Sequence, residues 1–409
     1  MGIYKCRFCN FEIKSVFVDL GETPLSNSFL KHIDLTKFEK KFPLKVFVCG
    51  NCFLVQVPEF ETPNKIFSDY AYFSSYSKSW LQHVENYVNI ISEKNNIGNN
   101  SLVVELASND GYLLQFFKNK GIPVMGIEPA ANVAKVAKEK GIKTVIDFFG
   151  EELAIKLSNE RKADLIIGNN VLAHVPDIND FVKGISILLK PNGMINMEFP
   201  HILQLIKYNQ FDTIYHEHFS YFSLYTVKKI FEFHKLEIVD VEEITTHGGS
   251  LRIYAKHKTN KNFKIKNSVN DLLEKEKRFG LTNLSNYLEF SKKIKLIKKE
   301  LVNFFNDENK REKKIVCYGA AAKGNTLLNY CGIGKDQIEY VVDKNPHKQG
   351  LYLPGSHVPI KKPEEIKKTK PDFVVILPWN IKEEIMNEIS YIRDWGGKFV
   401  IPIPKVTIL

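Results

Sequence analysis

The chain has 409 residues, 44% of them hydrophobic and 25% charged, ordinary globular values that exclude disordered and fibrous classes and leave room for two or three domains. Its 57 Lys and Arg exceed 47 Asp and Glu by ten, so a nucleic-acid or membrane-surface partner is the first question to test. No run approaches the roughly 18 uncharged apolar residues of a membrane span, so none is expected.

The first 60 residues are rich in strand and turn signals and carry Cys6-Arg7-Phe8-Cys9 and Cys49-Gly50-Asn51-Cys52. Each Cys-x-x-Cys is a tight knuckle that turns two thiolates toward one ion. Four sulfurs with no further ligand form a closed structural zinc site, not a catalytic one, and the metal stabilises a segment too small to make its own core. The 39 residues between the pairs exceed the common zinc-ribbon gap, which predicts an inserted sub-loop. A redox pair is the alternative, and two knuckles in one short segment favour metal. Reduced thiols, with no apolar run in Met1–Cys6, make the cytoplasm the expected compartment.

From residue 101 the pattern alternates strand and helix. Predicted strands cover residues 101–106, 124–128, 144–147, 163–168 and 193–197, with a helix over 131–140. Such alternation implies an α/β fold with a parallel sheet covered on both faces. Residues 256–314 read as a polar helical connector, with Leu284, Tyr287, Leu288, Ile294, Ile297, Leu301 and Phe304 forming one stripe interrupted at Ser291, the face of a long packed helix whose outer face is basic. A second α/β unit follows, with strands at 315–318, 339–343, 373–377 and 398–401.

The first βα turn is the cofactor candidate. Glu105 ends the strand, Asp110 is placed to help cap the next helix, and Gly111 permits close backbone approach. Glu128 ends the following strand, where a ribose diol is held in dinucleotide sites. The G-x-G-x-x-G pattern is absent here, and Glu-x-x-x-x-x-Gly with an acid on the second strand resembles the S-adenosylmethionine loop of class I methyltransferases. An α/β turn without ligand is the plain alternative.

Past the fourth strand, Asn169-Asn170-Val171-Leu172-Ala173-His174 lies where parallel sheets build their ligand crevice, so His174 is placed to face substrate or to serve as an ordinary structural histidine. The densest constellation is Phe211-Asp212-Thr213-Ile214-Tyr215-His216-Glu217-His218-Phe219-Ser220-Tyr221. Adjacent members point different ways, which argues against a His-Glu-His metal site. Tyr215, Glu217 and His218 suit proton handling, with the carboxylate fixing the histidine tautomer. In Thr245-Thr246-His247-Gly248-Gly249-Ser250-Leu251-Arg252, the arginine is expected either to hold an anion or to pair with an acidic neighbour. In the C-terminal unit the Gly319–Gly324 turn with Lys323 offers N–H groups and a cation to a diphosphate, and Asp343 is spaced for a ribose hydroxyl. The Pro-Gly loop ending at His357 either closes over that ligand or is a surface turn.

Taken in order, the zinc knuckles, Glu-Leu-Ala-Ser-Asn-Asp-Gly, Asn-Asn-Val-Leu-Ala-His-Val-Pro-Asp, Tyr-His-Glu-His-Phe-Ser-Tyr, Thr-His-Gly-Gly-Ser-Leu-Arg and Gly-Ala-x-Ala-Lys-Gly-Asn-Thr-Leu-Leu-Asn span nearly the whole chain. This set resembles the bacterial S-adenosylmethionine-dependent sugar C-methyltransferases that act on nucleotide-activated 4-keto-deoxysugars. The resemblance implies an N-terminal zinc-binding domain (1–65), a central class I methyltransferase domain of Rossmann-like fold (66–255), the helical connector (256–314) and a C-terminal Rossmann-like domain that holds the nucleotide (315–409). It implies structural Zn2+ on Cys6, Cys9, Cys49 and Cys52. The cofactor S-adenosylmethionine would lie among Glu105, Ala107, Asn109, Gly111, Glu128, Asp147 and Asn169. Many members carry glycine where this chain has Ala107, and alanine prefers negative φ.

Catalysis would rest on Tyr215, Glu217, His218 and His174, with an aromatic from Tyr70-Ala71-Tyr72 completing the pocket: Tyr70 as a catalytic candidate, Tyr72 as a substrate contact. The remaining substrate contacts would be His247, Arg252, Gly319, Ala322, Lys323, Asn325, Asp343 and His357. The implied reaction is methylation at sugar C3. His218 takes the acidic proton beside the ketone, Glu217 orients it, and Tyr215 or His174 donates to the oxyanion.

A zinc-containing RNA methyltransferase and a non-enzymatic zinc- and nucleotide-binding module are the rival readings. The charge discriminates. Residues 256–314 hold 17 Lys and Arg against 8 Asp and Glu, so +9 of the +10 lies on the connector. That predicts a solvated bridge between two ligand-binding halves and a small anionic partner, without nucleic acid or membrane. A single chain with both crevices suffices as a monomer.

Overall fold

The computed structural model describes residues 4–62, 64–65, 74–76 and 78–409. Its N-terminal part contains a short antiparallel pair, β1 (Tyr4–Lys5) and β2 (Glu12–Ile13), followed by β3 (Ser15–Thr23), β4 (Phe42–Val48) and β5 (Val55–Gln56). The expected sub-loop lies between β3 and β4. Alternating burial along β4 sends Leu44, Val46 and Val48 into a core.

The central sheet contains β6 (Val103–Leu106), β7 (Val124–Ile127), β8 (Thr144–Val145), β9 (Ala163–Asn169), β10 (Leu189–Pro200), β12 (Leu236–Ile244) and β13 (Ser250–His257). Its order is β12-β13-β10-β9-β6-β7-β8, parallel from β10 to β8 and antiparallel at β13 and β12. Every residue of β6 is buried, as a central parallel strand covered on both faces requires. Chain order reverses at β6, whose neighbours are β7 and β9, so the ligand crevice lies at their carboxyl ends.

The missing strand, β11 (Ser220–Tyr221), pairs with β5, giving the N-terminal sheet the order β11-β5-β4-β3. The C-terminal sheet contains β14 (Ile315–Tyr318), β15 (Val341–Val342), β16 (Ile360–Lys361), β17 (Phe373–Ile376), β18 (Lys398–Ile401) and β19 (Thr407–Ile408). Its order, β16-β15-β14-β17-β18-β19, is that of a dinucleotide-type sheet with its own reversal at β14.

The connector packs one helical face and leaves the other basic, as its stripe predicts, but it shares a core with the sheets and is not a solvated bridge. β13 extends to His257, and Lys256 is buried in it, donating to Glu237 Oε2 at 2.7 Å. The helices Asn267–Phe279, Leu284–Leu288 and Phe290–Lys310 follow. Phe290 continues the apolar stripe beside Ser291, whereas Leu288 stands 39% exposed. Phe290, Ile294, Ile297, Leu301 and Phe305 share one core with Phe17 and Val46 of the N-terminal sheet and with Ile315 and Val374 of the C-terminal sheet. Lys292, Lys293, Lys295 and Lys299 keep the outer face basic. Glu276, fully buried on the first helix, accepts from Leu224 N, Tyr225 N and His201 Nε2, which anchors the connector to the central sheet. Among the described residues no helix is long and apolar enough to cross a membrane.

Candidate active site

The four knuckle sulfurs lie within 4.8 Å of one another, with Cys6 and Cys52 at 3.5 Å and Cys9 and Cys49 at 3.6 Å. A tetrahedral Zn–S4 centre has an edge of about 3.8 Å, so the set fits zinc. Gln56 Nε2 donates to Cys6 Sγ and Asn51 N to Cys49 Sγ, the outer hydrogen bonds that orient such thiolates. Three of these cysteines are buried in the same core as the central sheet.

At the carboxyl end of β6 the backbone turns through positive φ at Ala107 (55°), Asn109 (50°) and Gly111 (74°). Alanine therefore occupies the left-handed conformation that glycine takes without strain. Glu128 secures the loop: Oε2 accepts from Asn109 N and Oε1 from Ala130 N, both at 2.9 Å. Each carboxylate oxygen keeps a second lone pair for a hydroxyl. Burial, with Asp110 and Glu128 nearby, pushes the Glu105 carboxyl well up. Asp110 does not cap the next helix. It accepts from Ser75 N at 3.2 Å and faces Lys140, and the helix starts later, at Leu114.

Asp147 is exposed beyond β8, flanked by Ile146 and Phe148, which are 43% and 40% exposed. Buried Ser108 Oγ, Asp110 Oδ1 and Asn169 Oδ1 have no hydrogen-bond partner among the described residues. Unsatisfied oxygens beside an apolar shelf fit the polar and adenine ends of S-adenosylmethionine.

The segment after the 3-10 turn Phe211–Thr213 has little regular structure and is held from outside. Phe219 N donates to Ala173 O and Val57 N to Phe219 O, so the stretch is sewn between the crevice loop and the zinc-bearing part. His218 Nδ1 lies 3.0 Å from Thr213 O, and Nε2 lies 2.8 Å from the Tyr215 hydroxyl. A carbonyl only accepts, so Nδ1 carries the proton and Nε2 accepts from Tyr215. Burial and the neighbouring charges of His174, His247 and Lys323 hold His218 well below the usual histidine range, hence neutral.

His174 packs edge-on against His218, with ring centres 4.7 Å apart, and its Nδ1–H donates to Glu217 O at 2.7 Å. Burial pushes His174 down to about 4, so Nε2 bears no proton.

Two expectations change here. Glu217 does not orient His218; its carboxylate accepts from Asn27 Nδ2 at 3.2 Å, and Thr213 O does the orienting. His174 has no N–H left for an oxyanion. His216 turns away altogether, toward Pro43 O and the Phe42 and Phe60 rings. Tyr70 and Tyr72 lie outside the described residues.

The C-terminal unit abuts this segment. Trp379 Nε1 donates to buried Asp212 Oδ2 at 2.6 Å, and Lys323 stands over the Trp379 ring while donating to Asn380 Oδ1. A Cβ on Gly248 (φ 91°) would come within 2.6 Å of that indole, so glycine at this position admits the tryptophan, while a Cβ on Gly249 would meet Gln204. His247 (φ 55°) is exposed and shares a 3.0 Å hydrogen bond with Asn170 (φ 56°).

At the β14 turn, Gly319 takes φ 91°, where a Cβ would meet Pro378, and Ala322 opens the Ala322–Cys331 helix. Asp343 accepts from Ala320 N and Asn345 N, both at 2.8 Å.

Three expected substrate contacts are otherwise engaged. Arg252 is 8% exposed and ion-paired with Glu198 and Glu242, because its strand neighbours β10 and β12 present those acids. Asn325 is buried against Ser26 O. His357 pairs with Glu39 of the N-terminal sub-loop at 2.9 Å.

Sequence-family profiles match a zinc binding domain over residues 6–67, a methyltransferase domain over 84–241 and a C-methyltransferase C-terminal domain over 245–404. The C-methyltransferase NovU of Streptomyces niveus is 35% identical over 411 residues, spanning 100% of this chain and 97% of that protein. The chain belongs to the C-methyltransferase family. Solved structures similar to this C-methyltransferase include an S-adenosylmethionine-dependent methyltransferase from Clostridium acetobutylicum (12% identity, 43% of this chain, 92% of that one, TM-score 0.35). Another is magnesium protoporphyrin IX methyltransferase from Synechocystis with bound SAM (16% identity, 43% and 78%, TM-score 0.34). The methyltransferase-domain match takes in the Glu105–Gly111 turn, and the zinc-binding-domain match takes in the four-cysteine cluster.

Sequence reasoning passed over Asn27, Asp212, Trp379 and Lys348, whose Nζ donates to Ala320 O at the C-terminal turn. Of these, Asp212 lay within the Phe211–Tyr221 constellation and was given no role there.

Proposed function

We propose that this C-methyltransferase methylates C3 of a nucleotide-activated 4-keto-deoxysugar through an enolate, with His218 as general base. The observation that carries the reading is the His218 ring held between Thr213 O and the Tyr215 hydroxyl. A hydrogen on the carbon beside a ketone is acidic because its removal gives an enolate. When the ketone oxygen takes the Tyr215 O–H as donor, the Nε2 lone pair is released to that C–H. The proton passes to Nε2 and the charge to the oxygen beside Tyr215. His174 Nε2 accepts from a substrate hydroxyl. When bound, S-adenosylmethionine supplies an electrophilic methyl group to the nucleophilic carbon. Glu105, Ala107, Asn109, Gly111, Glu128, Asp147 and Asn169 hold it.

Gly319, Ala322, Lys323 and Asp343 receive the nucleotide diphosphate, and His247 borders the sugar. The parts divide as a zinc-binding domain (1–65), a methyltransferase domain (66–255), a connector (256–314) and a nucleotide-binding domain (315–409). The protein works as a cytoplasmic monomer. Methyl transfer from labelled S-adenosylmethionine to a purified nucleotide 4-keto-deoxysugar tests the reading, with transfer RNA as the competing acceptor. Label in the sugar supports it, and label in RNA alone overturns it.

A further inference from the structure

Thr326 lies in the first half of the Ala322–Cys331 helix, buried and far in sequence from the Tyr-His-Glu-His run. A threonine inside a helix usually returns its hydroxyl to its own backbone. Here Oγ1 donates outward, to the carbonyl of Ile214 at 2.9 Å. Ile214 stands between Thr213, whose carbonyl receives His218 Nδ1, and Tyr215, whose hydroxyl meets His218 Nε2. Both contacts of the imidazole are thus made by the residues flanking the one carbonyl that Thr326 grips. Neighbouring contacts support the same join: Tyr330 packs on Phe211 with ring centres 5.2 Å apart, and Asn325 Nδ2 donates to Ser26 O, next to the Asn27 that holds Glu217.

We infer that Thr326 is a positioning residue for the base: the C-terminal unit sets where His218 stands by fixing the Ile214 peptide. The inference rests on the reading of His218 as base. It assigns the Ala322–Cys331 helix a part in catalysis beyond holding a nucleotide. Removing the hydroxyl leaves the Ile214 carbonyl without its donor and lets the 213–215 backbone, and the ring with it, move. A displacement of about 1 Å at a reacting group costs on the order of 100-fold in rate.

The test compares Thr326→Val, which keeps the shape and removes the donor, with Thr326→Ser, which keeps the donor. The full-length zinc-loaded protein is assayed for methyl transfer to the nucleotide 4-keto-deoxysugar and for C3 proton exchange in heavy water. Thr326→Val is expected to lower kcat and exchange together by about 10- to 100-fold, with KM and S-adenosylmethionine affinity within about threefold of wild type. Thr326→Ser is expected to restore both rates to within about threefold. Unchanged kcat in Thr326→Val, or a serine variant as slow as valine, overturns the inference. If Thr326→Val does not fold, Thr326→Ala, which removes the same donor without added bulk, is read by the same ratios. His218→Asn is measured alongside. If it still turns over, the base assignment falls and Thr326 with it. If it is inactive while Thr326→Val is normal, only the positioning role falls.

Discussion

The hydroxyl of Tyr215 points at Nε2 of His218 across 2.8 Å, and the Thr213 carbonyl fixes the direction of that bond by claiming the only imidazole proton. The base lone pair and the acid proton of the proposed reaction therefore meet in one contact, which a ketone must open to engage both. Tyr215→Phe should leave Nε2 basic and remove the oxyanion donor. We expect kcat to fall about 100- to 1,000-fold, with S-adenosylmethionine binding by calorimetry unchanged. His174→Gln should cost far less, since the His174 N–H is already given to Glu217 O.

The charges around His218 make its pH behaviour predictable. Burial comes first, and the nearby His174, His247 and Lys323 charges also disfavour the imidazolium. The acid limb of kcat/KM should lie below the ordinary histidine range near 6.5. Lys323→Gln removes one opposing cation, so the His218 pKa rises and the acid limb moves to higher pH. A limb that stays in place, or moves down, means that Lys323 does not act on the base.

Ala107 offers a stability test. Its φ of 55° strains a residue with a Cβ by about 1 kcal/mol relative to glycine. Ala107→Gly should raise the apparent Tm by roughly 1–3 °C in the presence of S-adenosylmethionine. Gly111→Ala should do the reverse, because φ there is 74° and a Cβ would stand 2.4 Å from Ile142 Cδ1.

Legibility in the sequence followed distance along the chain. The knuckles, the Glu105–Gly111 turn and the Glu128 strand end are local patterns whose geometry a few adjacent residues dictate, and the strands alternating with helices announced the parallel sheets. The Tyr215–His218 run was conspicuous by composition, yet which member touches which depended on neighbours from elsewhere: Asn27 drew Glu217 away, and Pro43 drew His216. For Arg252 the sequence left anion binding and pairing with an acid both open, and Glu198 and Glu242 on the neighbouring strands decide for pairing; the partner of His357, Glu39, is too distant in sequence to be foreseen. The connector looked solvated for a similar reason. Its apolar stripe was visible, but the strands that cover it come from both ends of the chain.

The zinc site should report on catalysis as well as on folding. Cys49 and Cys52 set the turn into β5, and β5 pairs with β11, two residues beyond His218. Elemental analysis should find about one zinc per chain, as a closed four-thiolate site requires. Cys52→Ser should lower the Tm and reduce methyl transfer more than it reduces S-adenosylmethionine binding, since the donor loop is built on β6 and β7. Equal loss of both would place the effect on the whole central sheet, with no special bearing on the base.

The Asp212–Trp379 contact ties stability to pH. Burial raises the Asp212 carboxyl from its usual range to about 6, against the opposing pull of Lys323 and the Trp379 N–H. The folded protein therefore binds that proton more tightly than the unfolded chain does. The stabilisation from this proton is complete below about pH 4, the unfolded value, and is lost as pH rises through about 6. Asp212→Asn keeps an oxygen to accept the Trp379 N–H and has no charge to bury, so its stability should not follow that slope. Between pH 5 and 7 the difference in Tm, variant minus wild type, should grow in favour of the variant. A difference that is flat or shrinks with pH would mean that the buried carboxylate is compensated at this join between the methyltransferase and C-terminal sheets.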